Sequence, residues 1–225
     1  MNVVLTLTRS TIGKKVVMAS TGAIMVGWLT AHMVGNLQVF LGEAILDHYG
    51  ELIQSQVEIL WLMRAFMLTA LVLHVSSAIA LTRQAASARA TGYQGGRKTQ
   101  VSTPAARSLR WGGLVILAYL IFHLADLTVG AAWANPDFVR GEVYHNLTHS
   151  LRRPPIACLY ILANLALGMH LYHGVYSIFQ TLGINQLGNR DTARQAGTFF
   201  AVLVAGGNIV IALAILTRFV GLVTP

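Results

Sequence analysis

The chain has 225 residues, a formal net charge of +8 and 55% hydrophobic residues, and its mean hydropathy is +0.59. This composition leaves too little polar surface for an ordinary soluble domain of this size, so we expect a membrane protein. The charge does not indicate a nucleic-acid partner, because the basic residues lie in a few connectors and not along one polar face. The single cysteine, Cys158, excludes a disulfide framework, a thiolate metal cluster and a covalent C-x-x-C-H haem attachment.

Five apolar stretches are long enough to cross a hydrocarbon core, which needs roughly 20 helical residues. The first stretch follows Lys14 and Lys15 and is too long for a signal-peptide core, so we interpret it as a retained span. The connectors are polar or carry turn residues, which makes residues 1–225 one all-α transmembrane domain. The predicted spans cover residues 14–41, 57–82, 109–133, 155–183 and 196–220.

The basic residues predict how these spans are oriented, because Lys and Arg mark the cytoplasmic side of a membrane. The N-terminal segment and the connectors 83–108 and 187–195 are basic, whereas the connectors 42–56 and 134–154 hold most of the acidic residues. We therefore expect the N-terminus in the cytoplasm and the C-terminus outside.

The first four spans each bring a histidine into the hydrocarbon, namely His32, His74, His123 and His170 in chain order. An ionisable side chain at membrane depth is costly, so each is a functional candidate that needs a partner. At a rise of about 1.5 Å per residue, His74 lies about 13 Å and His170 about 19 Å from the inner flank, against about 19 Å for His123 and 25 Å for His32.

Helix tilt blurs these depths by several ångströms, and depth alone does not separate His170 from His123. The pairing that fits best joins His74 to His170 on the inner side and His32 to His123 on the outer side. Two histidines that face each other across a bundle can bind a haem iron from both sides.

A flat porphyrin needs small side chains next to its ligands, and these occur at the i±3 and i±4 positions that share a helix face. His123 is less open, since Tyr119 and Asp126 are its neighbours on that face. Small residues also favour plain helix packing in membranes. The small neighbours of the other three histidines are Gly35, Ala70, Ser77, Ala78, Ala166 and Gly174.

The pattern therefore predicts a bundle with two bis-histidine haems, and other uses of the histidines remain as alternatives. Each histidine could instead form a hydrogen bond between helices or line a proton pathway. A zinc site would gather its ligands at one depth, and a mononuclear catalytic iron would require carboxylates.

Four segments of the chain resemble the dihaem cytochrome b membrane subunit of succinate dehydrogenases and their fumarate reductase relatives. The last segment is the most specific, with histidine followed by glycine at +4, a polar residue at +7 and glycine at +13. His170, Gly174, Ser177 and Gly183 satisfy this spacing, which selects His170 and not His173 as the ligand. The segments are residues 21–37 (TGAIMVGWLTAHMVGNL), 68–81 (LTALVLHVSSAIAL), 117–128 (LAYLIFHLADLT) and 166–183 (ALGMHLYHGVYSIFQTLG).

The resemblance implies five helices, two b haems near opposite faces, and a flavoprotein and an iron–sulfur subunit on the cytoplasmic side. It also implies a multi-pass protein of a prokaryotic inner membrane that exchanges electrons with quinone, for which we expect menaquinone. The site that oxidises succinate would lie on another subunit. Some related anchors carry one haem or none, so a single-haem anchor, a haem-free anchor and a proton-conducting protein remain the alternatives.

Several polar residues are secondary candidates. Arg152 and Arg153 stand where they could pair with the propionates of the outer haem. Asp126 could accept a proton or a hydrogen bond near that haem, or mark the membrane boundary. No short motif marks a quinone site; the residues to consider first, which could equally anchor headgroups or cap helices, are Ser10, Lys14, Arg107, Ser108, Trp111, Ser177 and Gln180.

Overall fold

The computed structural model describes residues 10–87, 104–184 and 190–220, without the side chains of residues 104–108 and 190. All regular secondary structure in these ranges is helical. Five helices are long and apolar enough to cross a membrane, which confirms a multi-pass helical membrane protein. They are Thr11–Leu41, Val57–Ser87, Leu109–Val129, Pro154–Thr181 and Asp191–Leu216.

The helices are numbered in chain order. Helix α1 continues as a tighter 3₁₀ turn, α4 continues as a wider π turn, and α7 joins α8 through a π turn, so α7 and α8 together form the fifth span. The bounds are α1 Thr11–Asn36, α2 Glu43–Ser55, α3 Val57–Ser87, α4 Pro104–Leu124, α5 Val143–Leu151, α6 Pro154–Thr181, α7 Arg190–Phe200 and α8 Gly207–Leu216.

The ends of the spans differ from the predicted ends by up to about one and a half turns. The third span was predicted to reach residue 133, but it ends at Val129 because Gly130 adopts a left-handed conformation with φ 68°. The fourth span, α6, ends at Thr181, two residues before the predicted residue 183, and Gly183 has φ 73°. The second span extends to Ser87 and the fifth begins near Arg190, because hydropathy measures the part of a helix that fits lipid and misses its polar turns.

The connectors 42–56 and 134–154, which were predicted to lie outside, also contain helices that hydropathy did not predict. Helix α2 lies between the first two spans and α5 precedes the fourth. They pack against each other, and the Asp47 carboxylate on α2 accepts a hydrogen bond from the Tyr144 backbone N–H at the start of α5. This contact satisfies a free N–H of the first helical turn. The connectors therefore form a packed cap on one end of the bundle.

The four histidine-bearing helices follow the order α3, α1, α6, α4 around the bundle. Helix α3 packs on α1, α1 packs on α6, and α6 packs on α4. Between the described residues of α3 and α4 there is no extensive packing. Only 11% and 6% of the most apolar windows of the second and third spans are buried, compared with 28–33% for the other three. The bundle therefore has one open side, between α3 and α4.

The fifth span lies behind the bundle, against α6 and α1. Gly197 sits against the backbone of Tyr172, and the Asn208 side-chain amide donates to the Asn164 side chain at 3.1 Å. This span carries no histidine, and its position away from α3 and α4 supports the α1–α6 side of the bundle.

Candidate functional site

The four histidines meet in two pairs. The ring centroids of His74 and His170 are 6.4 Å apart, and those of His32 and His123 are 5.9 Å apart. These are the two pairs that fitted the depth estimates best, and it is the ring of His170, not that of His173, that lies beside His74. In the order α3, α1, α6, α4 the pairs join opposite helices, α3 to α6 and α1 to α4. Both pairs therefore lie in the bundle interior.

The separation of each pair fits two imidazoles on opposite sides of one metal ion. A metal–imidazole bond is about 2 Å long and the ring centroid lies roughly 1 Å beyond the bonding nitrogen, so the two centroids are about 6 Å apart. Among the described residues, no group of three or more His, Cys, Asp or Glu side chains could hold a metal ion. Each donor set is thus a pair of imidazoles, which suits the two axial positions of a haem iron.

The pair of His74 and His170, called the inner pair after its predicted depth, has one ring held by hydrogen bonding and one ring with an unpaired nitrogen. His74 Nδ1 lies 3.0 Å from the Met18 carbonyl oxygen and 3.3 Å from the Thr21 hydroxyl. The Thr21 hydroxyl donates to the Val17 carbonyl at 2.7 Å, so His74 Nδ1–H is the donor to Met18 and Nε2 keeps a free lone pair. The buried Nδ1 of His170 has no hydrogen-bond partner in the part of the chain that the structure describes.

Glycines give the inner pair space. A Cβ added to Gly22 on α1 would lie 3.4 Å from the His74 ring, and one added to Gly113 on α4 would lie 3.8 Å from the His170 ring. A Cβ on Gly174, one turn after His170, would meet no atom within 4 Å. The site therefore has room for a flat group beside His170, on the face that His170 shares with Gly174.

Part of the small-residue pattern has a different explanation. Gly35, one turn from His32, sits against the Tyr49 ring of α2, since a Cβ added to Gly35 would lie 2.9 Å from the nearest Tyr49 atoms. Ala70 and Ser77 are buried, and their helix, α3, packs mainly on α1. Helix packing explains these three residues, whereas Gly174 faces open space.

The outer pair has aromatic neighbours. His32 stacks on Trp28, with centroids 6.2 Å apart and planes inclined by 15°, and its Nε2 lies 3.2 Å from the side-chain nitrogen of Asn36. Ligation through this Nε2 would replace the contact with Asn36. His123 packs against Tyr119 at 5.8 Å.

A hydrogen-bonded chain leads from His123 to a buried carboxylate. His123 Nδ1 lies 3.3 Å from the Tyr160 hydroxyl, which donates to Asp126 Oδ2 at 2.6 Å. The Ser150 hydroxyl lies 2.8 and 2.7 Å from the two Asp126 oxygens, and the Arg153 guanidinium is 3.5 Å from Oδ1. Asp126 is fully buried. Its negative charge is thus compensated by hydroxyl donors and one cation, as a buried carboxylate requires.

Arg153 is largely committed to this cluster. Besides Asp126 it donates to the Ala134 carbonyl at 2.7 Å and to the Ser150 hydroxyl at 3.1 Å, whereas Arg152 is exposed. The predicted propionate contacts of both arginines stay predictions, and Arg152 has the freer side chain. Asp126 is not a simple boundary marker, because its carboxylate is joined to the His123 ring through Tyr160.

The quinone candidates do not converge on one described pocket. Ser10 caps α1 by accepting from the Gly13 N–H at 2.9 Å, and the Gln180 amide donates to the Tyr176 hydroxyl at 3.1 Å. Trp111 is 73% exposed. Ser177 and Lys14 are partly buried, and the side chains of Arg107 and Ser108 lie outside the described residues.

Three residues of the site were not predicted from the sequence: Tyr160, Ser150 and Gly22. Tyr160 lies ten residues before His170 on α6, which is not a spacing that places it with His170, and its partner His123 is on another helix. A buried aspartate three residues after His123 was the only local signal for the cluster.

The fold and site define a multi-pass helical membrane protein with two histidine pairs on the diagonals of a four-helix bundle. Comparisons with protein-family profiles, curated proteins and solved structures find no match to the chain.

Proposed function

We propose that the chain is the cytochrome b membrane subunit of a succinate:quinone oxidoreductase and holds two b haems. The observation that carries the proposal is the pairing of His74 with His170 and of His32 with His123 on opposite helices, each at the centroid separation of two trans imidazoles. The likeness of four segments to the dihaem subunits of succinate dehydrogenases supports it independently.

In this proposal the chain supplies axial ligands and an apolar environment. The Met18 carbonyl holds His74 with its proton on Nδ1, and the Tyr160 hydroxyl does the same for His123, so that Nε2 of each ring would be available to hold a haem iron. Each b haem, when bound, carries one electron at a time. The helices exclude water from both sites, and ligand basicity and burial tune the potentials.

The charge of the connectors supports a cytoplasmic position for the partners. The basic connectors mark the cytoplasmic side, where a flavoprotein and an iron–sulfur subunit would dock in a prokaryotic inner membrane. Succinate would be oxidised on the flavoprotein, and electrons would cross the two haems between the iron–sulfur subunit and quinone, expected to be menaquinone.

The test is the haem content of the complex purified from membranes. Reduced-minus-oxidised spectra should show b-type bands that correspond to two haems per chain. His74→Ala and His170→Ala should remove the same haem, His32→Ala and His123→Ala the other. His173→Ala is the matched control, and it should retain both. A complex that is intact but shows no b-type bands contradicts the proposal.

A single-haem anchor is the second candidate, and one contact favours it. The Asn36 side chain occupies Nε2 of His32, whereas no contact of this kind is observed on Nε2 of His74 within residues 10–87, 104–184 and 190–220. In a single-haem anchor the complex would contain one haem per chain, and His32→Ala would leave it in place. A haem-free proton conductor would instead show proton flux in vesicles that each histidine variant lowers.

A further inference from the structure

One ring of the outer pair, His123, is hydrogen-bonded to a tyrosine that is itself bound to a buried carboxylate. His123 Nδ1 has a partner whose own proton is committed, because the Tyr160 hydroxyl donates to Asp126 at 2.6 Å. The hydroxyl oxygen therefore accepts from His123 Nδ1–H at 3.3 Å. In the inner pair, His170 Nδ1 has no such partner among the described residues.

The cluster behind Tyr160 is built to keep a negative charge at this depth. Asp126 is fully buried, and besides Tyr160 its oxygens contact the Ser150 hydroxyl and the Arg153 guanidinium. A hydroxyl that donates to a carboxylate becomes a better acceptor, because hydrogen bonds in a chain polarise one another. A stronger acceptor on Nδ1–H makes Nε2 more basic.

We propose that Tyr160 and Asp126 are positioning residues for the outer haem: they fix the ring of His123 and hold the potential of that haem down. A more basic axial nitrogen stabilises the oxidised iron more than the reduced iron, so the hydrogen-bonded chain lowers the potential. The inference rests on the proposed function, and it assigns residues outside the ligand pairs. Asp126 does not contact the His123 ring, to which it is joined through Tyr160.

The experiment is a redox titration of the purified complex carrying Tyr160→Phe. This variant keeps the aromatic ring, which packs against Tyr119 and Phe122, and removes only the hydroxyl. The outer haem is the one that His32→Ala removes. We expect its potential to rise while the potential of the inner haem stays unchanged. A tenfold change in the preference for oxidised iron corresponds to about 59 mV for one electron.

Tyr119→Phe is the matched control. Tyr119 also packs on the His123 ring, but its hydroxyl is hydrogen-bonded to Asn164. If Tyr160→Phe and Tyr119→Phe leave the outer potential equally unchanged, the inference is overturned and the dihaem proposal stands. A wild-type complex without haem overturns the proposed function itself.

Asp126→Asn covers the case in which Tyr160→Phe loses the outer haem. The asparagine keeps an oxygen that can accept from Tyr160 but removes the charge. The potential of the outer haem should therefore rise, but by less than in a variant that loses the whole hydrogen-bonded chain. An unchanged potential in Asp126→Asn with full haem content overturns the inference.

Discussion

Gly174→Leu separates a haem-binding bundle from a bundle without haem, because the two cases predict opposite effects. A Cβ at Gly174 would meet no atom within 4 Å, and position 174 shares a helix face with His170. If this space belongs to the protein alone, a leucine there is tolerated. If a porphyrin lies against His170, the leucine competes with it.

The size of each effect follows from these alternatives. Glycine inside a helix costs about 1 kcal/mol relative to alanine, and leucine is close to alanine, so without haem the variant should gain up to about 1 kcal/mol. Overpacking a filled site costs about 1–3 kcal/mol, which corresponds to a loss of haem affinity of about fivefold to 150-fold. We expect this loss at the inner site only.

The assay is the ratio of haem to protein in the purified complex, with the remaining haem assigned by the His74→Ala and His32→Ala variants. Ser76→Leu is the control: Ser76 is exposed and lies two residues after His74, so it is on nearly the opposite face of α3. It should keep both haems. Full inner-haem content in Gly174→Leu would refute the argument that the open space beside His170 holds a porphyrin.

Three further predictions concern stability and topology. Asp126→Ala should lower the free energy of unfolding by about 3 kcal/mol, because it leaves Arg153 without its buried partner. This is the lower end of the range for a broken buried pair, since the Arg153 side chain is one-third exposed. An unchanged midpoint of thermal unfolding in detergent would contradict this. Gly197→Ala should cost about 1–3 kcal/mol, since its Cβ would lie 2.5 Å from the Tyr172 carbonyl oxygen, and a melting curve like that of the wild type would show that the helices can separate freely. In a chain without its native cysteine, Asp137→Cys should react with a membrane-impermeant maleimide in intact cells; reaction only after permeabilisation would reverse the proposed orientation.

The sequence predicted the spans well because hydrocarbon thickness and helical rise together constrain the length of a crossing. It placed their ends less well, since glycines such as Gly130 end a helix by backbone conformation and polar turns continue a helix beyond the lipid. Arg64 lies within the second span, and the sequence did not predict that its guanidinium lies 5.0 Å from the centroid of the Trp61 ring. Helix α2 and helix α5 were not predicted, because short polar helices carry no hydropathy signal.

The same division holds for the site. Depth along a helix is nearly one-dimensional, so counting residues was enough to suggest which histidines meet. The partners of those histidines depend on how helices rotate and pack, and residue spacing within one helix does not record this. Tyr160 reaches His123 from a different helix, and Gly35 serves Tyr49 on α2 and not a porphyrin.

The sequence by itself determined that this is a five-span membrane protein with a histidine within each of four spans, because composition and helical rise act locally along the chain. Only the tertiary structure decided that the pairs lie on the diagonals of a bundle with one open side, and that Asp126 is bound to Tyr160, Ser150 and Arg153. The physical reason is that these contacts join residues on different helices, whose relative rotation follows from the packing of all the side chains together.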